Sequence, residues 1–248
     1  MKELSHKYST EDEDLLVLSN LSFSVGKEQF VSIVGPSGCG KSTLTKLIAG
    51  LSVPSKGKIL ISGSPVDSPR RSIGMAFQNP VLLEWRTALD NICLPLEIVS
   101  PQMTRIQKIA RATELLEMVG LKDFSKSRPS QLSGGMKQRV SLCRSLVHRP
   151  EILILDEPFG ALDAFTREGL WKTLKDLKTS ENFTCILITH DLREAIYLSD
   201  EVVILTDRPG KVKKSVKINF KRDSNSIDKL YSKEATKMLA FLRKQIEL

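Results

Sequence analysis

The sequence of 248 residues predicts an α/β fold, a mainly parallel sheet with helices on its faces and a helical insertion. Three observations predict it. Short apolar, β-branched runs alternate with stretches of helical period, the order found in parallel strand–helix–strand units. A glycine-rich segment, GPSGCGKS (35–42), stands between one such run and one such helix. From Asn79 to about Pro150 no long β-run occurs, and helical spacing dominates.

Taken in order, EQFVSIVG (28–35) is a β-branched run closed by glycine and reads as a buried strand. Leu44, Leu47, Ile48 and Leu51 then recur at helical spacing. KILISG (58–63) and IGMAFQ (73–78) read as further strands. Inside the insertion, ATELLEMVGL (112–121) is a helix stopped near Gly120. The strand pattern returns in EILILDE (151–157), TCILITH (184–190) and EVVILT (201–206), with a mostly polar helical stretch between the first two. After Ser226, Ile227, Leu230, Tyr231, Met238, Leu242 and Ile246 fall at 3–4 spacing, a C-terminal amphipathic helix. The expected division is an α/β core from 1–78 and 151–210, a helical subdomain at 79–150, and a basic segment at 211–248.

Composition narrows the class. Apolar residues make up 41% of the chain, enough for a folded core, and no run reaches the length of about 18 that a membrane helix needs. MKELSHKYSTEDEDLL, at the start, has acids where a secretion signal has apolar residues, so a cytosolic protein is expected. Cys39, Cys93, Cys143 and Cys185 are widely spaced without a CxxC pair, which reads as reduced thiols rather than a zinc site. The net charge is +8, and residues 211–248 hold eleven Lys/Arg against four Asp/Glu. Such a tail suits nucleic acid, an anionic membrane surface, or simply a solvated helix face.

The chemistry starts at GPSGCGKS, which fits G-x-x-x-x-G-K-[ST] between a strand and a helix. Gly35, Gly38 and Gly40, with Pro36, Ser37 and Cys39 between them, let backbone N–H groups curl around a phosphate. The helix start adds a positive dipole end. Lys41 reaches β- and γ-oxygens, the Ser42 hydroxyl suits Mg²⁺, and Thr43 adds a second hydroxyl. This reads as a nucleoside triphosphate site. In EILILDEP (151–158), Asp156 emerges at the C-terminal end of a strand, where it can hold Mg²⁺. Glu157 follows it, placed as the general base for an attacking water. Gln78 and His190 each follow a strand on the same expected sheet edge. From spacing alone, His190 is as well read as a hydrogen-bonded structural residue. QLSGGMKQR (131–139) places Ser133, Gly134 and Gly135 ahead of a helix expected to begin near Met136, a second anion site.

GPSGCGKST, Gln78 in FQNP, LSGGMKQR, ILILDEP, GALD (160–163) and ITHD (188–191) occur in the order seen in ATP-binding cassette (ABC) subunits. The chain resembles that family from Tyr8 to about Gly210. The resemblance implies the ABC ATPase fold, a P-loop core with an antiparallel β portion beside the parallel sheet. It also implies ATP hydrolysis with ATP and Mg²⁺. Two cassettes, as a homodimer or a paired ATPase subunit, then meet head to tail, and Ser133, Gly134 and Gly135 bind the ATP of the neighbour. Asp163 becomes the aspartate that crosses the interface, and His190 the switch histidine. Gln78 senses the γ-phosphate and joins Ser42 and Asp156 at the metal. Tyr8 stands where an aromatic stacks on adenine, although STEDED (9–14) lengthens the gap to the P-loop. The chain begins close to Tyr8, so a short first strand is expected. Met136 stands where many members have glutamine.

The segment NPVLLEWRTALDNICLPLEI (79–98) resembles the NP-x-LLPWR-T-x-x-DN stretch of importers for nitrate, sulfonates, taurine and related anions or pyrimidine precursors. RPG (208–210) fits that branch, and Glu84 departs from it where proline is usual. An ATPase on the cytoplasmic face of the cell membrane is implied, with separate integral membrane permease subunits and an extracytoplasmic solute-binding protein. No nucleic acid is expected. Leu82, Leu83 and Trp85 look exposed, suited to a groove for a partner's helix. Trp85 could equally pack inside the insertion. A lone cassette serving iron–sulfur assembly is the competing class, and it does not account for LLEWR.

Overall fold

The computed structural model describes residues 1–9, 14–160, 162–219 and 227–247. Most of STEDED, Ala161 of GALD, and 220–226 at the root of the tail lie outside the described residues. The chain divides into two compact units, Met1–Arg70 with Thr184–Leu248, and Arg71–Phe183. In chain order the first unit opens with β1 (Lys2–Ser9), β2 (Asp14–Leu21), β3 (Phe30–Val34), α1 (Lys41–Ile48), β4 (Lys56–Lys58), β5 (Leu60–Ile61) and β6 (Ser64–Pro65). The second unit holds β7 (Ile73–Phe77), α2 (Ala88–Val99), α3 (Arg105–Met118), α4 (Gly134–Leu146), β8 (Ile152–Asp156) and α5 (Ala164–Glu181). The chain then completes the first unit with β9 (Thr184–Ile188), α6 (Leu192–Leu198), β10 (Glu201–Leu205), β11 (Val212–Lys217) and α7 (Lys233–Glu247).

In the first unit four strands run in the order β11-β10-β3-β9. β3 pairs in parallel with both neighbours, Ile33 lying opposite Ile188 and Val203. All five residues of β3 are buried, as expected of a parallel strand covered on both faces. β11 closes this group antiparallel to β10. A separate antiparallel sheet runs β2-β1-β4. β1 takes up eight residues, longer than its closeness to the start of the chain suggested.

KILISG is not one strand. Lys56–Lys58 pairs with β1, whereas Leu60–Ile61 turns back on Ser64–Pro65. The turn between them puts Ser62 at φ 49° and Gly63 at φ 83°, which no continuing strand allows. Gly57 is also fixed in kind: a Cβ there would lie 2.3 Å from the Glu3 carbonyl oxygen. The amphipathic C-terminal helix is present as α7. It buries Ala235 and Leu242 and packs near α6 and β10. Tyr231, counted in its apolar stripe, is instead 67% exposed.

The second unit joins helices to strands rather than isolating the 79–150 block. β7 and β8 pair in parallel, with Phe77 opposite Asp156. α4 lies directly on β7, so close that a Cβ at Gly74 would sit 2.2 Å from the Ser145 carbonyl oxygen. Arg111 on α3 is 7% exposed and donates to Glu114, Glu181, Val147 O and Leu146 O, tying three parts of the unit together. β7, β8 and α5 thus fall in one compact unit with these helices, Arg71–Phe183.

All four cysteines are free and buried. Burial pushes the Cys143 thiol up to about 12 and the Cys93 thiol up to about 11. Ordinary thiols titrate near about 8.5 and react as thiolates. The native chain is therefore expected to show essentially no reaction with Ellman's reagent at about pH 8. After denaturation all four thiols should react, and rapid reaction of native Cys143 would contradict the packing.

Candidate nucleotide site

The P-loop hangs between β3 and α1. Gly38 at φ 78° and Gly40 at φ 103° take left-handed backbone that L side chains rarely adopt. Gly40 is held further by close approach, since a Cβ there would meet Leu18 Cδ2 at 2.7 Å and Val17 Cγ1 at 2.9 Å. Gly210 closes the other side: its N–H donates to Val17 O, and a Cβ on it would lie 2.2 Å from Cys39 O. The loop is thus clamped from behind by β2 and by the RPG segment. Lys41 is 8% exposed, and its Nζ donates to Gly35 O at 2.9 Å and Pro36 O at 2.8 Å. Ser37, Gly38 and Ser42 face solvent. The Tyr8 hydroxyl lies 3.3 Å from Thr43 Oγ1, so the aromatic ring stands beside the start of α1. Burial pushes the Cys39 thiol up, against the opposing pull of Lys41.

The same unit carries His190. β9 ends level with β3, and the Thr189 N–H donates to Ile33 O at 3.2 Å. His190 follows, exposed, on the edge from which the P-loop leaves.

In the second unit, Gln78 and Glu157 leave their paired strands side by side, because Phe77 lies opposite Asp156. Glu157 has φ 47°, a left-handed conformation that costs a non-glycine residue about 1–2 kcal/mol. Strain of this kind collects where function holds a side chain in place. Gln138 is 2% exposed and donates from Nε2 to Phe77 O, bracing the peptide that leads into Gln78. Arg144 donates to Val81 O at 2.5 Å, so α4 grips this segment at two points.

α4 begins at Gly134, two residues earlier than the sequence suggested. Ser133 is its N-cap, accepting from Met136 N–H at 3.3 Å. Gly134 and Gly135 therefore lie in the first turn, where backbone N–H groups have no partner within the helix. Asp163 caps α5, accepting from Thr166 N–H at 3.0 Å and from the Thr166 hydroxyl at 2.6 Å. These donors hold its carboxyl below the usual range. Gly135 and Thr166 touch: a Cβ on Gly135 would be 2.4 Å from Thr166 Cγ2. The signature turn and the aspartate turn thus form one packed piece.

The 79–98 segment corrects one expectation and decides another. Leu82 is buried at 8% exposure, not exposed, because the turn at Pro80–Leu82 directs it inward. Leu83 is half-buried. Trp85 is 73% exposed and so does not pack in the interior. Asn91, fully buried, explains the shape: its Oδ1 accepts from Leu83 N–H, and its Nδ2 donates to Leu83 O, Arg86 O and Thr87 O. One amide thereby sets the loop that presents Trp85. Asn91, Gln138 and Gly210 were missed as functional supports, because each acts through backbone contacts that residue type alone does not reveal.

Gly135→Ala is expected to destabilise the chain by about 1–3 kcal/mol, as overpacking does. Thr166→Ser, which removes the opposing methyl and keeps the hydroxyl on Asp163, should recover most of that in urea unfolding. Equal losses with and without Thr166→Ser would contradict the contact.

Comparison with known proteins identifies a family. The family model described as ABC transporter matches residues 18–160. The aliphatic sulfonates import ATP-binding protein SsuB of Bacillus subtilis (strain 168) is 44% identical over 204 residues, 82% of this chain and 78% of that protein. The bicarbonate transport ATP-binding protein CmpD of Synechocystis sp. is 42% identical over 209 residues, 84% of this chain and 74% of that protein. Among solved structures, a dimeric post-hydrolysis state of the ATP-binding cassette MJ0796 bound to ADP and Pi is similar at a TM-score of 0.78 and 33% identity, covering 89% of this chain and 98% of that one. With the P-loop, the signature turn and the acidic strand end in place, the chain belongs to the ABC transporter family and is an ATP-hydrolysing cassette.

Proposed function

We propose that the chain is the ATPase subunit of an importer for a small organic or inorganic anion, of the nitrate, sulfonate, taurine, bicarbonate or pyrimidine-precursor kind. It would lie peripherally on the cytoplasmic face of the membrane, beside separate permease subunits fed by an extracytoplasmic binding protein. The observation that carries the import reading is Trp85, 73% exposed on a loop that the buried Asn91 holds in shape. A rigid loop that spends its packing on an exposed indole suits a partner's apolar helix. The relatives named for import and transport of sulfonates and bicarbonate support the solute class. No helix among the described residues is long and apolar enough to cross a membrane, so the pathway itself would belong to other subunits.

In this reading two chains close head to tail on two ATP molecules. Tyr8 stacks on adenine, and the N–H groups of 35–43 other than Pro36, together with Lys41, bind the phosphates. Ser133, Gly134 and Gly135 meet the γ-phosphate of the other chain's ATP, and Asp163 borders that interface. Ser42, Asp156 and Gln78 offer hydroxyl, carboxylate and amide oxygens, the hard donors that Mg²⁺ takes together with phosphate and water. Bound there, Mg²⁺ supplies charge neutralisation for the β- and γ-phosphates. Glu157 accepts a proton from water as its oxygen bonds to the γ-phosphorus. The bond to the β–γ bridging oxygen breaks, giving ADP and inorganic phosphate. His190 donates toward the γ-phosphate, and Gln78 orients the water. The functional division is a nucleotide-binding part, 1–78 and 151–210, and a helical part, 79–150, that reads the partner and the permease.

Glu157→Gln is expected to lower kcat by about 10²- to 10⁴-fold. It should leave ATP binding intact and trap a dimer; a monomer by light scattering in ATP would contradict closure. Lys41→Ala should weaken ATP binding by at least about tenfold, or 1.4 kcal/mol. Trp85→Glu should leave the ATPase of the purified chain unchanged yet abolish co-purification of a polytopic membrane subunit from gently solubilised host membranes. Retention of that subunit at parental yield would refute the docking role.

A further inference from the structure

His190 is exposed, yet the residues on both sides of it are locked. Thr189 is 2% exposed and Glu194 3%, and the Thr189 hydroxyl donates to Glu194 Oε2 at 2.5 Å. The same hydroxyl accepts the Asp191 N–H at 2.9 Å. The Thr189 N–H donates to Ile33 O at 3.2 Å, two residues before the P-loop begins. Asp191 Oδ1 in turn accepts from Arg193 N–H at 2.7 Å and caps α6, the helix that carries Glu194. The hydroxyl therefore acts as both donor and acceptor across the histidine.

A buried carboxylate is costly unless charge-assisted hydrogen bonds offset the desolvation, so a fold that needed only a core here would place an apolar residue at 194. We infer that Glu194 is a positioning residue: through Thr189 it fixes the 189–191 turn and holds the His190 imidazole in register with the γ-phosphate position. It does not touch the nucleotide. The inference rests on His190 acting at the γ-phosphate, as proposed above. A misplacement of about 1 Å at a reacting group costs up to about 10²-fold in rate, which sets the scale of the effect.

Thr189→Val keeps the volume and removes the hydroxyl. In the purified chain it is expected to lower kcat for ATP by about 10- to 100-fold with KM within about twofold. Thr189→Ser, which restores the hydroxyl, should return kcat to within about threefold of the parent. Parental kcat in Thr189→Val, or a loss carried by KM alone, overturns the inference. The chain has three histidines, so side-chain ¹³C–¹H spectra give an independent readout. The signal lost in His190→Ala should shift or broaden in Thr189→Val while those of His6 and His148 hold. An unmoved His190 signal overturns the clamp. Should Thr189→Val fail to fold, Glu194→Gln carries the same expectations in smaller degree, with the same overturning results. His190→Ala at parental kcat would instead refute the role given to His190, and the spectra would still judge the clamp separately.

Discussion

Everything in the nucleotide-binding unit depends on one backbone curl. The chain leaves the buried strand β3, passes Gly38 and Gly40 in left-handed conformation, and enters α1 within a few residues. Such a curl points N–H groups inward and offers no room for side chains behind it. The molecule meets the second demand by pressing β2 and Gly210 against Gly40 and Cys39. Lys41 draws the loop's carbonyls the other way, its ammonium holding Gly35 O and Pro36 O.

A phosphate cradle does not by itself make use of ATP. In the reading proposed here, the start of α4 behind Ser133 addresses that need. Gly135 in its first turn leaves room for the Thr166 methyl packed against it. The packing joins the signature turn to the turn capped by Asp163, so the two would answer a γ-phosphate together. From the same helix, Gln138 and Arg144 hold the carbonyls of Phe77 and Val81, on either side of Gln78. One helix therefore runs from the Ser133–Gly135 turn to the segment that leads to Trp85. In the reading proposed here, nucleotide state passes along it to the permease.

Much of this was legible before any coordinates. Strand ends were readable because a buried strand shows its apolar run, and a polar residue at its end must emerge at the sheet edge; Asp156, Gln78 and His190 follow that logic. The P-loop was readable because its glycines answer a backbone demand. What escaped was whatever depends on a distant partner. KILISG has the composition of one strand, and its break comes from the turn at Ser62–Gly63 and from Glu3 pressing on Gly57. Leu82 and Trp85 are both apolar, and only the hydrogen bonds of Asn91 and the turn after Pro80 decide which faces inward. The start of α4 was placed too late because a serine followed by two glycines reads as loop until the serine is seen to cap. Glu157 in left-handed backbone had no signal in residue type at all.

In the proposed reading, a working site takes its P-loop from one chain and its Ser133–Gly135 turn from another. Mixing two disabled chains decides this. Lys41→Ala removes the phosphate cradle and keeps the signature turn; Ser133→Arg keeps the cradle and blocks the turn. If sites form in trans, the mixed dimer contains one complete site, and ATPase activity should appear on mixing although each variant alone is inactive. If each chain completes its own site, no chain in the mixture is whole, and the mixture would stay as inactive as its components.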